Sequence, residues 1–134
     1  MSARVDFEKI ERPGSPNTYL VAPEELCTSA TPDADAPCFD LAPDVLFGRL
    51  DSLISDKSNW SVTHRDPEAR QIDLVAKTPL LKFKDDVAIR VLPGGANPGK
   101  SRLAVYSRSR VGYHDLGANR KRVESLIAEL KKIG

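Results

Sequence analysis

Tyr106-Ser-Arg-Ser-Arg-Val-Gly-Tyr-His-Asp-Leu-Gly-Ala-Asn-Arg-Lys-Arg122 reads as the place where a strand hands over to a helix. Upstream, strand alternation puts Arg102, Ala104, Tyr106, Arg108 and Arg110 on one face and Leu103, Val105, Ser107, Ser109 and Val111 on the other. The second face begins apolar, so it is the one that packs. Downstream, Val123, Leu126, Ile127, Leu130 and Ile133 recur at helical spacing. Between them Gly112 and Gly117 permit a tight reversal, and Asp115 is a candidate N-cap. The helix is predicted to begin at Asp115 or Leu116.

The same patterning extends towards the N-terminus. Pro43 suits the first position of a helix and Asp44 its first turn, and Leu46, Phe47, Leu50, Leu53 and Ile54 give the apolar stripe. That predicts a helix over 43–55. Strands are predicted over 60–65, with Trp60, Val62 and His64 on one face, over 71–78, over 86–92 and over 101–111. A further piece over 80–83 follows Pro79. Pro93-Gly-Gly-Ala-Asn-Pro-Gly99 reads as a loop. In Lys82-Phe-Lys-Asp-Asp-Val87 the expectation is a solvated hairpin with Phe83 folded inward and Asp85 in the turn. Asp85 and Asp86 cannot work as a catalytic pair, because strand neighbours point to opposite faces.

Short links force antiparallel neighbours, and a sheet with one apolar face has to be covered. The fold class is therefore α+β, an antiparallel meander of about four strands covered by two helices in the order α-β-β-β-β-α. Residues 1–39 hold five prolines and are expected as an extended arm docking on the domain of residues 40–134. Within that arm, residues 18–22 are a candidate edge strand.

At 134 residues the chain makes one domain with a core large enough to need neither metal nor disulfide. Charge is unevenly spread. Residues 1–58 carry 5 Lys/Arg against 11 Asp/Glu, and residues 59–134 carry 15 against 8. The simplest reading is that the acidic half lies on the basic half, and steering of an anionic partner is the second. No apolar run is long enough to span a bilayer, and Met1–Ile10 lacks the apolar core of a secretory signal. The expectation is a cytoplasmic protein, or a periplasmic one if an anchor has been removed. Cys27 and Cys38 would stay reduced in the first compartment and could pair in the second. With His64 and His114 they form no metal-ligand spacing, so neither metal nor cofactor is expected.

The 106–122 corner has three readings. Arg120, Lys121 and Arg122 oppose the helix dipole, so something must offset them. A structural clamp would pair Arg108 with Asp115 and use Asn119 on turn carbonyls. A binding site would hold an anion between Arg108, Arg110, Arg120 and free backbone N–H groups. A catalytic site built on His114 and Asp115 lacks a recognisable nucleophile, base and orienter. Nucleic acid is not expected, given the near-neutral charge and few aromatics.

Residues 106–120, with Val123 following, resemble the C-terminal signature of the family called domain of unknown function 1499. Phe83-Lys-Asp-Asp-Val87 is similar to that family's Phe-Pro-Asp-Asp/Tyr-Val hairpin, and Pro16-Asn-Thr-Tyr-Leu-Val-Ala-Pro23 to its Ser-Pro-Asn arm. The resemblance runs from about Arg12 to Leu130. Lys84 stands where many members have proline, and Ala118 where valine is frequent. Many members carry an N-terminal membrane segment that this sequence does not show. The resemblance implies no particular reaction. It implies that Arg108, Arg110, Gly112, Asp115, Gly117, Asn119 and Arg120 form a site or a clamp. With Tyr106 and Tyr113 added, these are the candidate ligand-binding residues, and no catalytic residue is assigned.

The functional expectation is a non-enzymatic binding module for an anionic small molecule, a lipid head group or an acidic protein segment. One alternative is an accessory or assembly protein acting through the sheet face and the arm. Another is an enzyme using Asp115 and His114 at the corner.

Overall fold

The computed structural model describes residues 4–12, 17–78, 83–110 and 117–133, excepting the Ile133 side chain. The elements are β1 (Thr18–Val21), β2 (Cys38–Phe39), α1 (Pro43–Ser55), β3 (Trp60–Asp66), β4 (Gln71–Lys77), β5 (Lys84–Gly94), β6 (Asn97–Ser109) and α2 (Ala118–Ile133). A single 3-10 turn, Phe7–Lys9, precedes them, its N-terminus capped by the Asp6 side chain. The class is α+β with an antiparallel sheet and two helices. The sheet has six strands rather than about four, in the order β1-β6-β5-β4-β3, with β2 also on β6. The two additional strands come from the N-terminal residues. β6 is 13 residues long, and both short strands satisfy backbone groups on its outer edge.

Register explains the layers. Val62, Leu74, Val87, Ser107 and Tyr19 lie across the sheet from one another, as do Ile72, Ile89, Val105 and Val21. These rows face the helices, where Leu46, Leu50 and Ile54 of α1 and Val123, Leu126 and Leu130 of α2 close the main core. Each of those side chains is at most 2 % exposed, so each contributes about 1.5–3 kcal/mol through burial. The alternate rows carry Ala88, Ala104, Tyr106 and Leu20 on the opposite face, where Phe7, Ile10 and Cys27 build a second core.

Four local expectations are corrected. The β5–β6 loop shrinks to a two-residue turn at Gly95 and Ala96, because Pro93 and Asn97–Gly99 join the strands. Gly94 allows this: a Cβ there would lie 2.7 Å from Lys100, closer than carbon atoms approach. Phe83 is 48 % exposed, and Asp85 is buried within β5 rather than turning the chain. In β3 a bulge between Val62 and His64 pairs His64 with Asp73, so His64 leaves the face of Trp60 and Val62. The last helix begins at Ala118 rather than at Asp115 or Leu116, because Gly117 just before it is a left-handed turn residue with φ of 80°. Of the candidate strand piece over 80–83, residues 80–82 lie outside the described residues and Phe83 lies in no strand.

The acidic half does lie on the basic half. Asp51–Arg65, Asp44–Arg70, Glu8–Arg90, Asp40–Lys100 and Glu25–Arg102 join them as ion pairs. Each pair has an exposed partner, so each contributes at most about 1 kcal/mol. Among the described residues no helix is long and apolar enough to cross a membrane.

Candidate functional site

Asp85 and Asp86 organise the region, because adjacent strand residues face opposite ways. Asp85 points towards the helices and is 3 % exposed. Its Oδ2 meets the Arg122 guanidinium of α2 at 2.7 Å. Arg122 also donates to Ser107 Oγ and to Asn119 Oδ1, each at 3.0 Å. The Asn119 amide donates to the Asn17 carbonyl and to Ser109 Oγ, each at 2.9 Å, while Ser107 Oγ donates to Asn119 Oδ1 at 2.6 Å. This buried network locks the start of α2 to the ends of β5 and β6. Gly117, with φ of 80°, makes the left-handed step into the helix that a Cβ would resist.

Asp86 faces the other way. The Arg110 guanidinium grips both its oxygens, Nε to Oδ2 at 3.0 Å and Nη2 to Oδ1 at 2.8 Å. That hydrogen bonding holds Arg110 even more firmly protonated than an ordinary arginine. Arg108 reaches the same carboxylate only at 3.8 Å, too long for a hydrogen bond, and its side chain is 48 % exposed. Beside it Tyr106 is 5 % exposed, and its hydroxyl has no hydrogen-bond partner among the described residues. Burial pushes the Tyr106 phenol above its usual range, against the pull of Arg108 and Arg12.

Tyr106 and Arg108 line a cavity of about 170 Å³ together with Val5, Thr63, Asp73 and Asp86. Asp73 is 3 % exposed. Its Oδ2 accepts from the Val5 backbone N–H at 2.8 Å and its Oδ1 from the Gln71 amide at 2.9 Å. The Gln71 amide also donates to the Val5 carbonyl at 2.7 Å, so these two side chains hold one backbone residue of the N-terminal segment against the sheet.

The structure therefore separates the candidate residues. Tyr106, Arg108 and Arg110 gather on the outer face around Asp86. Gly117 and Asn119 sit on the helix side. Arg120 is 65 % exposed, pairs with Glu124 at 3.3 Å and lies 5.9 Å from the Tyr19 ring centre. Gly112, Tyr113 and Asp115, with His114, lie outside the described residues. Sequence reasoning missed Asp73, Thr63 and Val5 as cavity walls and Arg122 as the partner of Asp85. An acid inside a strand was the visible signal for Asp73. The cross-strand register that brings it near Tyr106 was not visible. Among the described residues no group of three or more His, Cys, Asp and Glu side chains is placed to hold a metal.

The family described as "Protein of unknown function (DUF1499)" matches residues 11–130. The chain belongs to the DUF1499 family. No curated protein matches it. The DUF1499 span takes in all six strands, most of α2, and Thr63, Asp73, Asp86, Tyr106 and Arg108. Val5, the remaining cavity wall discussed above, precedes the DUF1499 span.

Proposed function

We propose that the protein is a non-enzymatic binding module that seats the anionic group of a small molecule against Arg108 and Tyr106. One observation carries the reading: a half-exposed guanidinium, 3.8 Å from Asp86, stands at a cavity beside a buried phenol that has no hydrogen-bond partner among the described residues. Arg110 holds Asp86 through a two-point contact with both of its oxygens, while Arg108 stands farther off at 3.8 Å. Around Asp86 two guanidinium groups face one carboxylate, and the other carboxylate of the cavity, Asp73, lies two strands away.

Size narrows the ligand. At about 30 Å³ per water, a cavity of about 170 Å³ holds five or six waters. That admits a short carboxylic acid or one phosphate and is below the roughly 300 Å³ of the smallest drug-sized pockets. A charge-assisted hydrogen bond contributes about 1.5–3 kcal/mol, and 1 mM affinity needs about 4 kcal/mol. A bare anion should therefore bind with a Kd in the millimolar range or weaker.

The test is thermal denaturation with acetate or inorganic phosphate at tens of millimolar, at constant ionic strength. Both anions should raise Tm, and Arg108→Gln should abolish the rise while leaving the unliganded fold intact. A rise that persists in Arg108→Gln, or no rise in the wild-type protein, overturns the proposal.

A further inference from the structure

Asp73 is a buried carboxylate that makes no ion pair among the described residues. Its two hydrogen bonds come from neutral donors, the Val5 backbone and the Gln71 amide. Each carboxylate oxygen can accept two hydrogen bonds, so acceptor capacity remains. Desolvated charges without a counter-charge are costly, and proteins ordinarily pair them. Yet the nearest spare cation in the cavity, Arg108, lies along β6 beside Asp86. The cavity thus has a positive end at Arg108 and a negative end at Asp73.

The register gives the spacing. Asp73 lies opposite Ala88, Ala88 lies opposite Tyr106, and Arg108 is the next outward-facing residue on β6. Two strand spacings and a two-residue step separate the backbones of Asp73 and Arg108 by roughly 12 Å. Side chains reaching into one cavity shorten that gap to a few bonds of a ligand. Thr63, Tyr106 and Val5 form further parts of the cavity wall.

Resting on the anion seat proposed above, we infer that the ligand is a small zwitterion, an aliphatic amino acid whose carboxylate meets Arg108 and whose ammonium meets Asp73. Its size is set by the cavity, and the distance between its charges by the two ends. A purely anionic ligand would leave Asp73 as it is, and a purely cationic one would leave Arg108.

Isothermal titration calorimetry on the full chain separates the two claims. The probes are glycine, β-alanine and 4-aminobutyrate, each against its deaminated partner acetate, propionate or butyrate. At least one amino acid should bind about tenfold more tightly than its matched acid, the gain of one charge-assisted contact. Asp73→Asn should erase that gain while acid binding remains. If that variant does not fold, n-propylamine competing with the bound amino acid but not with its matched acid supplies the same information in the wild-type protein. Acids that bind while no amino acid binds better would overturn the zwitterion and keep the anion seat. Binding by neither series would overturn both.

Discussion

Arg122 and Asp85 meet at 2.7 Å, with side chains only 12 % and 4 % exposed, and form the ion pair most withdrawn from solvent among those described. The pair joins a helix to a strand more than thirty residues away, and its remaining polar groups are answered by Ser107 and Asn119. Removing one partner strands a buried charge. Arg122→Ala and Asp85→Ala should each cost about 3–5 kcal/mol in urea denaturation. The double replacement Asp85→Leu with Arg122→Met should cost less than the sum, because both charges leave together. Glu124→Ala breaks only the exposed contact with Arg120 and should change stability by no more than about 0.5 kcal/mol. Single replacements at Asp85 or Arg122 that cost under about 1 kcal/mol would show that this pair does not anchor α2.

Phe7 is the main attachment of the N-terminal segment. It is fully buried, the Arg90 guanidinium lies 5.5 Å from its ring centre, and neighbouring Glu8 accepts from Thr28 and pairs with Arg90. Phe7→Ala should cost about 3–5 kcal/mol by leaving a cavity in the second core. If the segment then detaches, trypsin should cut after Lys9 well before the rest of the chain. Unchanged stability together with an unchanged digestion pattern would contradict this attachment.

The helix over 43–55 and the apolar rows of β4 and β5 were legible because each depends on local periodicity alone. Pro43, Leu46, Leu50 and Ile54 fix the first helix, and Val87, Ile89 and Val91 fix the inward face of β5. What escaped depends on pairing across the chain. Cys38–Phe39 becomes a sheet strand only because β6 offers a long edge, whereas the candidate edge strand over 18–22 is found as Thr18–Val21. The bulge at Thr63 turns His64 over, and no alternation pattern announces an inserted residue. The candidate site shows the same limit. Tyr106 and Arg108 stood out as a polar row on one strand face, whereas Asp73 enters through two successive strand pairings. Sequence alone marks Arg122 only as a cation near a helix start and puts its partner Asp85 in a turn. The opposite orientations of Asp85 and Asp86 did follow from the strand geometry.

The two cysteines are free, Cys27 buried and Cys38 exposed. Burial also pushes the Cys27 thiol above its usual pKa, which lowers its thiolate fraction near neutrality. Iodoacetamide at pH 8 should therefore alkylate one cysteine rapidly, and peptide mass mapping should place the label on Cys38. Cys27 should react only in denaturant or as the second core opens. Equal rates at the two positions in the native protein would contradict the burial of Cys27.

Tyr106 allows the cost of its buried hydroxyl to be measured directly. An unsatisfied buried polar group costs about 1–3 kcal/mol, so Tyr106→Phe should leave stability unchanged or raise it by about 1 kcal/mol. Loss of about 1 kcal/mol instead would mean that the hydroxyl makes a hydrogen bond. The pH dependence supplies a second measurement. The folded protein holds the Tyr106 phenol and the Cys27 thiol above their unfolded values, so the unfolded chain releases these protons first. With fewer protons bound in the unfolded state, stability falls as pH rises. Both contributions are fully present below about pH 8.5; that of Cys27 is lost from there upward and that of Tyr106 from about pH 10 upward. Urea midpoints between pH 7 and 11 should decline in that order. Cys27→Ala should remove the earlier part of the decline and Tyr106→Phe the later part. A Tyr106→Phe variant that declines as steeply above pH 10 as the wild-type protein would place the responsible proton elsewhere.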